Sequence, residues 1–238
     1  MSIIQQGITQ KYIIQNLGGR RVAAIPTIPV DYYFRVRADK VVVDGSNYIE
    51  SALDFSENGY DPSQFIQVSK PLYVANGFNG RPIMRFDGTN DYLSVSFGTS
   101  YTAPITVFLV HQCTATSGAN IYLFDNLNTS SGLCLYNYGS ILGTSASLRY
   151  TKAKPYPNPI ITCLESNDTS SILYEDGVQQ DTGTNTITSS DSLALGAYYG
   201  LSYYYKGDIA EMIMYNRLLT AAEKLQVTGN LKFYYGIS

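Results

Sequence analysis

Gly207-Asp208-Ile209-Ala210-Glu211-Met212-Ile213-Met214-Tyr215-Asn216-Arg217-Leu218-Leu219-Thr220 is the stretch from which the fold is read. Ile209 to Tyr215 is apolar and rich enough in β-forming residues for a strand. Asp208 and Glu211 stand three apart, so strict alternation sends them to opposite faces. Arg81, Arg85 and Arg217 are candidate partners for these acids. Thr220 followed by Glu223 makes a capping box, so a helix starts there. Leu225, Val227 and Leu231 form its apolar side.

Upstream of this stretch the text from residue 31 is mostly β. Short runs such as Tyr92-Leu93-Ser94-Val95, Ile121-Tyr122-Leu123-Phe124 and Ile172-Leu173-Tyr174-Glu175 are separated by Gly, Asn, Asp and Pro. Asp44-Gly45, Asp87-Gly88 and Asp176-Gly177 are hairpin-type pairs. The run Ile105 to Val110 is apolar at nearly every position, which places it in the middle of a sandwich. No internal repeat of 20–50 residues is visible. The pattern is that of a β-sandwich or jelly roll with one late helix.

Composition narrows the function classes. The 238 residues are 45% hydrophobic, 13% aromatic and 15% charged, which excludes a disordered chain. A net charge of -3 supplies no excess of cations for phosphate, so no nucleic-acid partner is expected. No apolar run is long enough for a membrane span. The start, Met1 to Gln6, lacks the basic and apolar regions of a signal peptide, so synthesis in a reducing cytoplasm is expected. Cys113, Cys134 and Cys163 are odd in number and show no CxxC spacing, implying buried thiols rather than disulfides or zinc.

The first thirty residues differ from the rest. They hold Lys11, Arg20 and Arg21 and no acid, while the remainder is acidic. Ile4, Ile8 and Tyr12 recur at helical spacing, yet the isoleucines favour a strand, and both conformations stay open. Gly18-Gly19 and Pro26-Thr27-Ile28-Pro29 read as a hinge and a stiff connector. Residues 1–30 are therefore read as an anchoring arm and 31–238 as the folded domain. Ile4, Ile8, Lys11, Tyr12, Arg20 and Arg21 are its anchoring candidates.

Several motifs together resemble the concanavalin A-like, laminin-G-like jelly-roll domains. Asn79 to Leu93 (NGRPIMRFDGTNDYL) resembles their opening motif, and Asp54-Phe55-Ser56-Glu57-Asn58-Gly59 the loop that precedes it. Ile172 to Val178 resembles their hairpin. Gly207 to Thr220 resembles the closing strand and helix cap, and Tyr234-Tyr235-Gly236-Ile237 the usual ending. The resemblance implies an all-β jelly-roll β-sandwich of two antiparallel sheets. A laminin-G-like module without a signal peptide and with an arm is similar to accessory proteins of bacteriophage virions. That likeness implies a virion location, with the arm on capsid or tail proteins and the domain facing outward or packed as a homo-oligomer.

Three features of the sequence bear on chemistry. Relatives in this superfamily that hydrolyse β-glucans carry an E-x-D-x-x-E string, because retention needs two carboxylates roughly 5–5.5 Å apart. Glu165 with Asp168 and Glu175 with Asp176 do not match it, so the chain is expected not to be an enzyme. His111 and Cys113 share a strand face, but after an apolar run both read as buried. The family resemblance implies Ca²⁺ as a cofactor to examine, with Asp87, Asp91 and Asp208 as ligands; calcium wants six to eight oxygens, and no closely spaced acid loop supplies them. No cofactor is otherwise expected.

Tyrosine is the remaining signal: 22 Tyr against 9 Phe and no Trp. Tyr198, Tyr199, Tyr203 and Tyr204 crowd one inter-strand segment, and Tyr136, Tyr138 and Tyr150 another. Such side chains give large contact area at low entropic cost and suit a sugar ring or a protein partner. The leading expectation is thus a non-enzymatic virion structural or adhesion protein. The alternative is a free-standing carbohydrate-binding module that meets a host surface glycan.

Overall fold

A computed structural model describes residues 27–116, 121–127, 134–138, 141–144, 147–152, 155–187, 190–198 and 200–238. Among the described residues fifteen strands run in order: β1 (Phe34–Val43), β2 (Ile49–Asp54), β3 (Leu72–Val74), β4 (Ile83–Asp87), β5 (Leu93–Tyr101), β6 (Ile105–Cys113), β7 (Ile121–Asp125) and β8 (Leu135–Tyr138). Then come β9 (Ile141–Gly143), β10 (Arg149–Thr151), β11 (Ile160–Ser166), β12 (Asp168–Glu175), β13 (Val178–Asn185), β14 (Ser190–Leu195) and β15 (Lys206–Tyr215). The helix α1 (Ala221–Tyr235) follows. All ladders are antiparallel. The larger sheet is ordered β13-β12-β11-β6-β15-β1-β2, with β4 beside the first half of β15 and β3 beside β4. The smaller is ordered β10-β9-β8-β7-β14-β5. This is the expected all-β sandwich.

The apolar run in β6 follows from burial on both faces. Val107 and Leu109 enter the core between the sheets. Phe108 and Val110 face the other way, into a second core closed by α1. A strand covered on both sides reads as continuous rather than alternating hydrophobicity. The helix is capped as the sequence implies: the Thr220 side chain accepts from the Glu223 N–H, and the Glu223 side chain accepts from Thr220 N. Val227, Leu231 and Tyr235 lie one turn apart and are buried. Leu225 is 69% exposed, against expectation. Two residues correspond to about 200° around a helix, so Leu225 cannot share a face with Val227.

A bulge changes the reading of β15. Its register against β6 steps from Ile209↔His111 to Glu211↔Val110. The extra residue lets Ile209 and Met212 both enter the inter-sheet core. Asp208 and Glu211 consequently share the outer face, which corrects the expectation of opposite faces. Arg85 grips Asp208 through two hydrogen bonds of 2.8 and 3.0 Å. Glu211 is paired instead by Arg35 at 2.7 Å and accepts from the Tyr235 hydroxyl at 2.8 Å. Arg81 stacks on Tyr234, and Arg217 pairs with Asp31 and Glu223.

Two of the three Asp-Gly pairs are hairpin turns. Asp176 and Gly177 have φ of 51° and 84°, the left-handed pair that suits the twist of β12 and β13. Asp44-Gly45 joins β1 to β2, with the Asp44 carboxylate accepting from the Ser46 and Tyr48 amides. Asp87-Gly88 departs from the hairpin expectation, because it carries the chain from β4 in one sheet to β5 in the other.

Both sides of the sandwich are closed. Ser63 exchanges backbone hydrogen bonds with Ser94 of β5, while Pro62 and Gln64 bond to Ala52 and Glu50 of β2. Opposite them, Ser147 and Arg149 bond to Thr184 and Asp181 of β13. Covered edges limit chain-to-chain pairing.

The described part of the connector is fastened to the base of β15. Tyr33 N–H donates to Met214 O at 2.8 Å, and the Tyr215 hydroxyl to Pro29 O at 3.1 Å. Arg217 holds Asp31 at 2.8 and 3.1 Å. Ile28 and Tyr32 pack on the second core. No helix among the described residues is long and apolar enough to cross a membrane.

Candidate functional site

Antiparallel registry decides where the loops gather. Asp87 pairs with Lys206, Gly207 with Cys113, and Leu195 with Leu93 and Phe124. The ends of β4, β6 and β14 and the starts of β5, β7 and β15 therefore share one pole of the sandwich. Phe34↔Met214 and Thr106↔Tyr215 mark the other pole, where the connector docks.

At the loop pole the two tyrosine-rich segments meet. Ile121 and Leu123 of β7 point into the core, which leaves Tyr122 on the outer face of the smaller sheet. Leu135 likewise points in and Tyr136 out. Tyr198 lies on Tyr122 with ring centres 4.5 Å apart, and Tyr136 flanks Tyr122 at 5.3 Å. Tyr203 completes the group, 5.6 Å from Tyr198 and 6.3 Å from Tyr122. Tyr122 and Tyr136 are buried, whereas Tyr203 is 48% exposed. The inner pair backs the outer pair, and burial raises the Tyr122 hydroxyl above its ordinary pKa.

The segment carrying Tyr198 and Tyr203 is held tightly. Gly196 turns with φ of 91°, where a Cβ would meet the Phe86 ring at 2.4 Å, so only glycine fits. Tyr198 N–H donates to Ser202 O and Leu201 N–H to Tyr198 O, each at 2.9 Å. Tyr122 N–H donates to Tyr203 O at 3.0 Å, tying the segment to β7. The Tyr204 hydroxyl donates to Leu201 O at 2.6 Å. Leu201 and Tyr203 both adopt left-handed φ, 56° and 50°. Bulky residues rarely do so, and such strain collects where side-chain position matters.

Other candidates fall elsewhere. Tyr199 and the side chain of Tyr138 lie outside the described residues, as do Ile4, Ile8, Lys11, Tyr12, Arg20 and Arg21. Tyr204 is partly buried, with its hydroxyl engaged by Leu201 O. Tyr150 packs against the inter-sheet core and donates to Glu175, apart from the platform. His111 and Cys113 are both fully buried. The His111 ring nitrogens meet the Tyr205 hydroxyl at 3.3 Å and Thr162 Oγ1 at 2.9 Å. Burial, then the charge of Lys152, lowers its pKa to about 3. Neither residue is placed for nucleophilic chemistry.

Asp87 and Asp91 share the turn after β4. Asp87 Oδ1 accepts from Thr89 N at 2.7 Å, and Asp91 Oδ2 accepts from Asp87 N at 2.8 Å. Asp208 is engaged by Arg85 on the outer face. Among the described residues no group of three His, Cys, Asp or Glu side chains is arranged to hold a metal ion.

Tyr122 was missed as a site residue. The alternation in Ile121-Tyr122-Leu123 puts the tyrosine opposite two core residues, and that was the available signal. What sequence could not supply was the pairing of β7 with β8 and the fold-back of the segment after β14.

No family model matches the chain, and no curated protein does. Solved structures do. A Trypanosoma rangeli sialidase in complex with sialic acid superposes with a TM-score of 0.61 at 15% identity, covering 90% of this chain and 35% of that one. The binding domain of botulinum neurotoxin serotype G gives 0.61 at 10% identity, covering 83% and 50%. The binding domain of botulinum neurotoxin DC, solved with rat synaptotagmin II, gives 0.58 at 11%, covering 82% and 52%. The fold is a β-sandwich shared with these proteins.

The chain spans about a third of the sialidases' length. Enzymes are thus among its fold neighbours, which corrects the expectation that the chain is not an enzyme. No bacteriophage protein is among the neighbours named here.

Proposed function

We propose that this chain is a carbohydrate-binding module whose contact surface is the pair Tyr198 and Tyr203. The observation that carries this reading is the convergence of two distant tyrosine segments on one backed, partly exposed surface. Flat rings held by their neighbours present apolar area without losing rotamer freedom on binding. The kinship of fold with toxin binding domains supports the same reading.

A glycan array followed by calorimetry tests it. Tyr203→Ala and Tyr198→Ala are each expected to weaken binding about three- to tenfold, the worth of one aromatic contact. Tyr122→Phe is expected to leave binding nearly unchanged. An array without a hit, or a Tyr203→Ala protein that binds as well as wild type, would sink the proposal.

A finer setting rests on the connector. Because Pro29 and Asp31 are fastened at the pole opposite the tyrosines, we propose that residues 1–30 attach to capsid or tail proteins of a virion. In that setting the domains stand outward, in a symmetric oligomer. Deleting residues 1–26 is expected to abolish incorporation while leaving Tm unchanged. Normal incorporation of the shortened chain would refute the anchor.

A further inference from the structure

A cleft of about 660 Å³ opens where β3 and β4 meet the start of β15. Its apolar wall includes the half-exposed ring of Tyr48 and the side chain of Leu72, and its polar wall Arg85, Asp87, Asp91 and Lys206. It is separate from the tyrosine surface, sharing no lining residue with it.

The polar groups are fixed before any ligand arrives. Asp208 orients the Arg85 guanidinium through both of its carboxylate oxygens. Thr89 N holds Asp87, and Asp87 N holds Asp91. Asp91 is only 6% exposed, yet that backbone amide is the one hydrogen-bond donor to its carboxylate among the described residues. A carboxylate accepts about four hydrogen bonds, so Asp91, which lines the cleft, keeps acceptor capacity for a ligand hydroxyl. Thr114 and Lys206, whose ammonium makes no ion pair among the described residues, line the same space.

Charge selects the ligand. A small anion would face Asp87 and Asp91, and a metal cation would face Arg85 and Lys206. A neutral molecule with hydroxyls to donate and oxygens to accept satisfies all four, while its apolar face meets Tyr48. We propose that this cleft is a second saccharide site, taking a neutral pyranose ring against Tyr48 with its hydroxyls on Asp87, Asp91 and Arg85.

The test is an amide-shift NMR titration of the full chain, in EDTA, with methyl glucoside, galactoside, mannoside and N-acetylglucosaminide. At least one is expected to shift the Thr89, Asn90, Asp91 and Thr114 amides. Tyr48→Ala and Asp91→Asn should each weaken that binding tenfold or more, and Tyr203→Ala should leave it unchanged. Tyr48 lies at the exposed rim, so its variant keeps the fold and the test stands even if Asp91→Asn does not fold. Absence of these shifts with all four sugars, or unchanged binding in Tyr48→Ala, would overturn the proposal. Because Tyr203→Ala acts only on the other surface, failure here is distinguishable from failure of the first site.

Discussion

His111 is neutral, buried and bonded through both ring nitrogens, so acid should act on it before most of the core. Unfolded histidine titrates near 6.5, whereas burial lowers the folded value to about 3. The unfolded chain therefore binds the extra proton between these values. Stability from this residue is fully present above 6.5 and declines as pH falls, by at most about 1.4 kcal/mol per pH unit. Asp91 has the opposite sign. Burial, then the charge of Asp87, raises its carboxyl to about 6, so its contribution is present below about 4 and lost as pH rises through 6. The rise in urea midpoint from pH 5 to pH 7 should shrink or reverse in His111→Gln relative to wild type, and grow in Asp91→Asn. Equal differences in all three proteins would show the assignment to be wrong.

Glu211 offers a second residue-scale prediction. It is 1% exposed between Arg35 and Tyr235. Glu211→Ala leaves a guanidinium without its counter-charge and should destabilise by about 3 kcal/mol in urea unfolding, as broken buried pairs do. Its burial was legible in the sequence only as an acid within an apolar strand. The partner was not, because Arg35 lies far away in the chain and the bulge that turns Glu211 toward it leaves no residue signature.

Among elements, β6, β15 and α1 were legible because local chemistry specifies them: an apolar run, a strand with its punctuation, and a capping box. Thr220→Ala should cost about 1 kcal/mol and lower Tm, since it removes one half of that box. An unchanged Tm would mean that Arg217, which also grips Glu223, holds the helix start alone. The elements misread were those set by distant partners. Leu225 matched the apolar composition of α1 but not its angular position. Asp87-Gly88 has hairpin chemistry, yet the strand following it joins the other sheet. The tyrosine surface was half legible in the same sense: its residues were visible as an excess, but their meeting depends on β7–β8 pairing and the fold-back before β15.

At the scale of the whole molecule, the connector and the candidate binding surfaces occupy opposite poles, and Arg217 is the main clasp on the connector. Arg217→Ala should accelerate amide exchange at Tyr32 and Tyr33 while leaving β6 and β11 protected. Equal protection in both proteins would show that Tyr215 and Pro29 suffice.

The run of β15 between those poles has a mechanical consequence. A ligand held at Tyr203 pulls on the start of β15, while an attachment through residues before Phe34 pulls on the start of β1. These strands are antiparallel neighbours, Phe34 against Met214 through Arg37 against Glu211. Their hydrogen bonds lie across the line of pull, so tension loads the ladder in shear, all bonds together, rather than peeling them one by one. Under a load applied at those two points, the force would run along the very strand whose sequence reveals the fold.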